Sequence, residues 1–160
     1  MATGKRASCI AAAAWLLLLA DPAPAGKADN ATTFGPNAEL VAGAQALQMG
    51  DYADGVRLTL AGLAEVTERR QRAVGLSNLC AGYAGLGEYR KALAACNESL
   101  AINPRSWRSY NNRAIAYIGL GRLVEARRDL EAGRALNPDA AKLREVEALL
   151  RAREAELRRA

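Results

Sequence analysis

The chain has 160 residues, of which 51% are hydrophobic and 5% aromatic, and its net charge at neutral pH is +5. Alanine and leucine supply most of the apolar residues, whereas valine and isoleucine, which favour strands, are scarce. This composition predicts an all-α fold. Histidine is absent, so the commonest general base at neutral pH and the commonest zinc ligand are both missing. We therefore expect neither an enzyme nor a metal or cofactor site.

The first 25 residues have the pattern of a secretory signal peptide. Lys5 and Arg6 precede an uncharged run over residues 7–20, and a small-x-small cleavage site ends at Ala25. The run is shorter than the ~20 apolar residues that a helix needs to cross a bilayer. We therefore predict a cleaved signal and export, with a retained membrane anchor as the alternative.

Cleavage after residue 25 would leave residues 26–36 as a small, polar and flexible lead-in. The alanine- and arginine-rich composition favours a bacterial periplasm or cell envelope, with secretion as the alternative location. Acidic residues are interleaved with the arginines throughout the chain, which is typical of a solvated surface. We expect no nucleic-acid partner and no stable membrane span once the signal is removed.

An internal repeat organises the rest of the chain. Gly87 and Gly121 are 34 residues apart, as are Pro104 and Pro138, and an earlier copy places Gly50 37 residues before Gly87. Within each period, apolar residues recur at steps of three and four, as on one face of a helix. Glycine permits the positive φ that ends a helix, and proline stops the next one. The pattern predicts a helix–turn–helix unit in each copy.

These units resemble the tetratricopeptide repeat family, whose period is 34 residues. The matching positions of the second copy are Leu76, Leu79, Cys80, Tyr83, Ala92, Cys96 and Pro104, and those of the third are Tyr110, Ala114, Tyr117, Ala126, Leu130 and Pro138. The resemblance implies an all-α solenoid of three hairpins over residues 37–72, 73–106 and 107–140. Arg113 stands in a leucine position of the family, and we expect its stem to pack while its head reaches solvent.

Residues 141–160 are predicted to form a C-terminal helix that covers the last repeat. Leu143, Val146, Leu150 and Leu157 form its apolar stripe, and Asp139 is a candidate N-cap. Two glutamates stand four residues before an arginine, in the pairs Glu147–Arg151 and Glu154–Arg158. The alternative to a capping helix is a coiled-coil seam in a homodimer.

Cys80 and Cys96 lie symmetrically about the turn at Gly87 and Glu88, so they face each other across the second hairpin. An oxidising compartment would allow a disulfide between them. By closing a loop, this bond would stabilise the fold by about 3 kcal/mol in the chain-entropy model. The alternative is two small buried hydrophobic side chains.

The family resemblance implies that the first helices of the repeats line a concave groove, which commonly holds an extended peptide. The polar residues that helical spacing directs there are Ser77, Asn78, Arg108, Asn111 and Asn112. Carboxylate-binding members carry an Asn where Asn78 stands and a basic residue where Arg108 stands, but Leu40, Ala44 and Asn112 depart from their pattern. The expected function is an exported protein–protein interaction module. The alternative is a structural or oligomerising component of a cell-envelope complex.

Overall fold

The computed structural model describes residues 37–159, so the predicted signal peptide and the lead-in over residues 26–36 lie outside the described residues. The described part contains helices and turns and no strand. Its helices, in chain order, are α1 (Ala38–Gln48), α2 (Tyr52–Glu65), α3 (Arg69–Gly85), α4 (Tyr89–Ile102), α5 (Trp107–Gly119), α6 (Leu123–Leu136) and α7 (Ala141–Leu157). The predicted all-α helical repeat fold is confirmed.

Each hairpin turns at a glycine with positive φ. The φ angles are 84° at Gly50, 75° at Gly87 and 73° at Gly121, in the left-handed region that a side chain disfavours. The amide of Glu88 donates back to the carbonyl oxygen of Tyr83 at 2.8 Å, which satisfies a carbonyl of the last helical turn. The equivalent position in each copy therefore ends the first helix and allows the second to fold back against it.

The additional residues of the longer first spacing extend the start of α3. This helix has 17 residues, whereas α5 has 13. Glu68 fixes its start, because its two carboxylate oxygens accept the amides of Arg70 and Gln71 at 2.7 and 2.6 Å. The predicted boundary between residues 72 and 73 consequently falls inside the first turns of α3.

Successive repeats pack together through the first helix of the later repeat, which contacts both helices of the repeat before it. We call α1, α3, α5 and α7 the inner helices, because α1 contacts α3, α3 contacts α5 and α5 contacts α7. The outer helices, α2, α4 and α6, make no such contacts with one another in the described chain. Because neighbouring inner helices are in contact and neighbouring outer helices are not, the array curves. The inner helices form its concave face.

Glycines allow two aromatic rings to pack between successive repeats. A Cβ built on Gly85 would lie 2.4 Å from the ring of Tyr52, and one built on Gly119 would lie 2.3 Å from the ring of Tyr89. Each tyrosine begins an outer helix, and each glycine ends the next inner helix. Because the ring occupies the space of a side chain, no other residue fits there without displacing it.

A disulfide bond joins α3 and α4 inside the second hairpin. Cys80 and Cys96 have an S–S distance of 2.09 Å and a Cα–Cα distance of 5.2 Å, and both are fully buried. Val56, Leu79 and Ala92 pack in the same apolar cluster. Of the two alternatives open from the sequence, the structure contains the bonded one.

The expectation that the head of Arg113 reaches solvent is wrong. Its guanidinium donates to both carboxylate oxygens of Asp129 on α6 at 2.7 Å and to Oδ1 of Asn97 on α4 at 2.8 Å. These bonds to Asp129 raise the pKa of Arg113 above its usual value. The guanidinium also lies near the rings of Tyr110 and Tyr117. A charge in a leucine position is tolerated here because a carboxylate and an amide oxygen face it.

Helix α7 stands where the inner helix of a fourth repeat would begin, 34 residues after the start of α5. Leu143, Val146 and Leu150 are buried against the third repeat, as the predicted stripe requires. Leu157 is 56% exposed, so including it in the stripe was wrong. It lies in the last turn of α7, beyond the apolar cluster that α7 forms with α5 and α6.

Two ion pairs hold α7 to α6, in place of the pairs predicted within α7. Glu147 pairs with Arg134, and Glu154 pairs with Arg127. Both glutamates are largely buried by these contacts, whereas the two arginines remain about half exposed. The predicted partners four residues further along α7 are wrong, because the neighbouring helix presents arginines closer to the same carboxylates.

The N-cap of α7 also differs from the prediction. Ala140 occupies the N-cap position and makes no side-chain bond there. Asp139 lies one residue too early to reach the first free amides of the helix, and its carbonyl oxygen accepts a bond from Arg144 at 3.0 Å. The start of α7 is therefore held by burial of Ala140 and Leu143 and not by a capping carboxylate.

The Arg113–Asp129 pair gives a test of this packing. We expect Asp129→Asn to lower the free energy of unfolding by about 1–3 kcal/mol, because it removes a charge-assisted pair and leaves the guanidinium facing an amide. The control, Glu156→Gln, breaks an exposed pair with Arg153 and should cost less than about 0.5 kcal/mol. Urea unfolding measures both. Equal effects of the two substitutions would contradict the packing role of Arg113.

Candidate functional site

The repeat register places equivalent residues in rows across the concave face. One row contains Val41 of α1, Asn78 of α3 and Asn112 of α5, each nine residues before the turn glycine of its copy. The next row, three residues further on, contains Ala44, Ala81, Ile115 and, on α7, Leu149. We call the surface formed by these rows, together with Val74 of α3 and the equivalent Arg108 of α5, the inner face.

Two of the predicted groove residues tie neighbouring inner helices together. The side-chain amide of Asn78 donates to the carbonyl oxygen of Leu40 at 3.4 Å, and that of Asn112 donates to the carbonyl oxygen of Ser77 at 3.2 Å. Both bonds run from one inner helix to the preceding one, at equivalent positions. These asparagines thus help to build the inner face, although the sequence analysis assigned them only to contact with a ligand.

Ser77 and Asn111 are buried, with 8% and 5% of their surface exposed. The side-chain amide of Asn111 donates to Oδ1 of Asn112 at 3.4 Å, whereas its own Oδ1 has no partner among the described residues. An unsatisfied buried acceptor costs roughly 1–3 kcal/mol. The two residues belong to the floor of the inner face and do not project from it.

Arg108 is the predicted groove residue that projects most freely. Its side chain is exposed, and its guanidinium stacks on the ring of Trp107 at 4.6 Å from the ring centre. No carboxylate within residues 37–159 pairs with it. The equivalent residue of α7, Lys142, pairs with Glu145 at 2.9 Å, and this bond raises the lysine pKa above its usual value.

Sequence reasoning missed the apolar part of the inner face. Val74 is 53% exposed and Leu149 is 48% exposed, and Val41 is exposed as well. Val74 stands in the position that Arg108 occupies in the next copy. The signal was present in the sequence, because the same 34-residue spacing that located the polar residues also locates these apolar ones.

The inner face therefore combines exposed aliphatic side chains with one unpaired guanidinium and a row of amides. Such a surface fits an extended chain, whose side chains contact the aliphatic groups. Among the described residues, no group of three or more potential metal ligands occurs. None of the described helices is long and apolar enough to span a membrane.

Comparison with known proteins gives the class of this fold. The tetratricopeptide repeat family model matches residues 79–151. No curated protein matches the chain in sequence. The chain is thus an all-α helical repeat protein, and the segment that matches the tetratricopeptide repeat family runs from within α3 to within α7.

Solved structures show the same fold at low sequence identity. A tetratricopeptide-repeat-like protein from Chlorobium tepidum superposes with a TM-score of 0.64 at 18% identity, over 74% of this chain and 91% of that one. The second such domain of human RPAP3, solved with an HSP70 peptide, gives 0.59 at 20% identity over 73% and 98%. The TPR2B domain of yeast Sti1, in a pHsp70 complex, gives 0.61 at 23% identity over 74% and 94%.

Proposed function

We propose that this protein is a non-enzymatic interaction module whose inner face binds an extended segment of a partner protein. The observation that carries the proposal is the exposure of Val74, Leu149 and Arg108 on helices already held in place by the core. Packing between successive inner helices builds this face before a partner arrives. A preformed surface lowers the ordering cost of binding.

The structural neighbours support binding of a peptide, without identifying this chain's partner. The RPAP3 domain was solved with an HSP70 peptide and the Sti1 domain in a pHsp70 complex. The inner face of this chain differs from the carboxylate-binding pattern, because Leu40 is buried and apolar and Ala44 has no polar group. We therefore expect aliphatic contacts to carry most of the affinity, with Arg108 as an electrostatic contact at one end.

The inner face can be tested with two matched triple variants. We expect Val74→Ser, Arg108→Ala and Leu149→Ser together to weaken binding at least tenfold, about 1.4 kcal/mol, because they remove the exposed contacts without disturbing the core. The control, Leu60→Ser, Val124→Ser and Arg128→Ala, removes the same residue types from exposed positions of the outer helices.

The measurement has two steps. A partner is first captured from intact cell envelopes with the unchanged protein, and its purified form is then titrated against both variants by calorimetry. Loss of affinity in the inner-face variant alone supports the proposal. Equal affinity of the inner-face variant and the unchanged protein would contradict it.

A structural or oligomerising role is the second candidate. It is favoured by a row of exposed apolar residues at the turns between inner and outer helices, formed by Met49, Leu86 and Leu120. These residues are equivalent in the three copies and lie on one edge of the array. Light scattering separates the candidates, because a monomer at all accessible concentrations excludes a homo-oligomer built on this edge.

We also propose that the protein is exported to the periplasm or cell envelope of a bacterium. The signal-like pattern over residues 1–25 and the bond between Cys80 and Cys96 both support this, since disulfides persist in oxidising compartments.

The export proposal predicts the state of the protein recovered from an envelope fraction. It should begin at Gly26, and trypsin should release the two cysteines in one linked pair of peptides, because Arg90 and Lys91 lie between them. Mass spectrometry without reduction checks both points. An intact residue 1 together with free thiols at Cys80 and Cys96 would contradict export.

A further inference from the structure

Five arginines lie at the starts of two neighbouring inner helices. Arg69, Arg70 and Arg72 are in the first turns of α3, Arg105 is in the loop before α5, and Arg108 is in the first turn of α5. All five are exposed. We call this surface the basic edge. It lies at the opposite end of the inner helices from the turn glycines.

A chain of buried hydroxyl groups fixes the two halves of the basic edge side by side. The hydroxyl of Ser99 on α4 donates to the carbonyl oxygen of Ala73 on α3 at 2.8 Å and lies 2.9 Å from the hydroxyl of Ser109. Ser109 is in turn 2.8 Å from the hydroxyl of Ser106, the N-cap of α5. Since Ala73 follows Arg72 and Ser106 follows Arg105, the arginines flank one hydrogen-bonded network.

These arginines have no carboxylate partner within residues 37–159. Several exposed cations elsewhere in the described chain pair with an acid three residues away, as in Arg57–Asp54, Lys91–Glu88, Arg122–Glu125, Lys142–Glu145 and Arg153–Glu156, whereas none of these five arginines does. The acids next to these arginines in the sequence are Glu65 and Glu68, and Glu39 lies in the first turn of the preceding inner helix. None of them pairs with the five arginines, and the carboxylate of Glu68 is bonded to backbone amides of α3.

Arginines at the start of α3 are unfavourable for the stability of the protein without a partner. The start of a helix carries the positive end of its dipole, so cations there are destabilising and acids are stabilising. Accordingly, the first turns of α1, α2 and α6 contain Glu39, Asp54 and Glu125. Helices α3, α4, α5 and α7 have no acid there, and α3 has three arginines in its first turn beside the N-cap carboxylate of Glu68. These three like charges repel one another and are offset only in part by Glu68, so they add nothing to the stability of the helix, and their guanidinium groups are available to a ligand.

We propose that the basic edge binds an acidic segment of a partner protein, through pairing of its arginine guanidinium groups with carboxylates. All five cations are arginines, whose planar fork matches a carboxylate with two parallel bonds. A membrane surface fits less well, because the exposed apolar row of Met49, Leu86 and Leu120 lies at the far ends of the inner helices, and Val74 is a single aliphatic side chain near the arginines. Binding to a bilayer interface needs a larger apolar area beside the cations.

The test compares two variants with the same change in charge. Arg69→Gln, Arg70→Gln and Arg72→Gln alter the basic edge, and the control alters Arg128, Arg151 and Arg158, exposed arginines that also lack a carboxylate partner. The probe is a fluorescein-labelled oligoglutamate peptide, with oligoglutamine as the neutral control, and binding to the full chain is followed by fluorescence anisotropy at low salt.

We expect the unchanged protein and the control variant to bind oligoglutamate, and the edge variant to bind about tenfold more weakly. The melting temperature of the edge variant should equal or exceed that of the unchanged protein, because removing these cations relieves repulsion with the helix dipole. That result would separate lost recognition from lost folding.

Three results would overturn the proposal. The first is equal binding by the edge variant and the unchanged protein, and the second is equal loss in both variants, which would indicate attraction by net charge alone. The third is binding to phosphatidylglycerol-containing vesicles without binding to oligoglutamate. The edge variant leaves Val74, Arg108 and Leu149 unchanged, so failure here is distinguishable from failure of the inner-face proposal.

Discussion

The contact of each inner helix with both helices of the preceding repeat is the constraint on which the other features of the structure depend. It brings α1, α3, α5 and α7 side by side while the outer helices remain apart. The amide bonds from Asn78 and Asn112 to the preceding helix, and the rings of Tyr52 and Tyr89 against glycine, hold that contact in the same register in each copy. The concave face, its rows of side chains and the alignment of the helix starts all follow from this register.

The elements of the fold were predictable because each is specified locally. A glycine with positive φ ends the inner helix of each copy, and apolar residues at steps of three and four mark the helices themselves. Contacts between helices were harder to predict from the sequence. The sequence showed Glu147 and Glu154 near arginines of their own helix, yet both pair with α6. Arg113 likewise looked solvent-directed until α6 placed Asp129 opposite it.

The candidate site was predictable as a set of positions, but not as a set of exposed groups. Burial of Ser77 and Asn111 and exposure of Val74 and Leu149 depend on contacts between helices, which periodicity alone does not give. The structure therefore replaces a polar groove with an inner face that is aliphatic along much of its length. Arg108 lies where this face meets the basic edge, so a partner with aliphatic side chains followed by carboxylates would contact both surfaces.

The central claim is that the inner face exists before any partner binds. Amide hydrogen exchange of the free protein under native conditions tests it most directly. We expect the amides of α3 and α5, which contact inner helices on both sides, to exchange only through global unfolding, with α1 and the last turn of α7 exchanging sooner by local opening. Rapid exchange throughout α3 and α5 in the free protein would contradict the claim, because the face would then form only on binding.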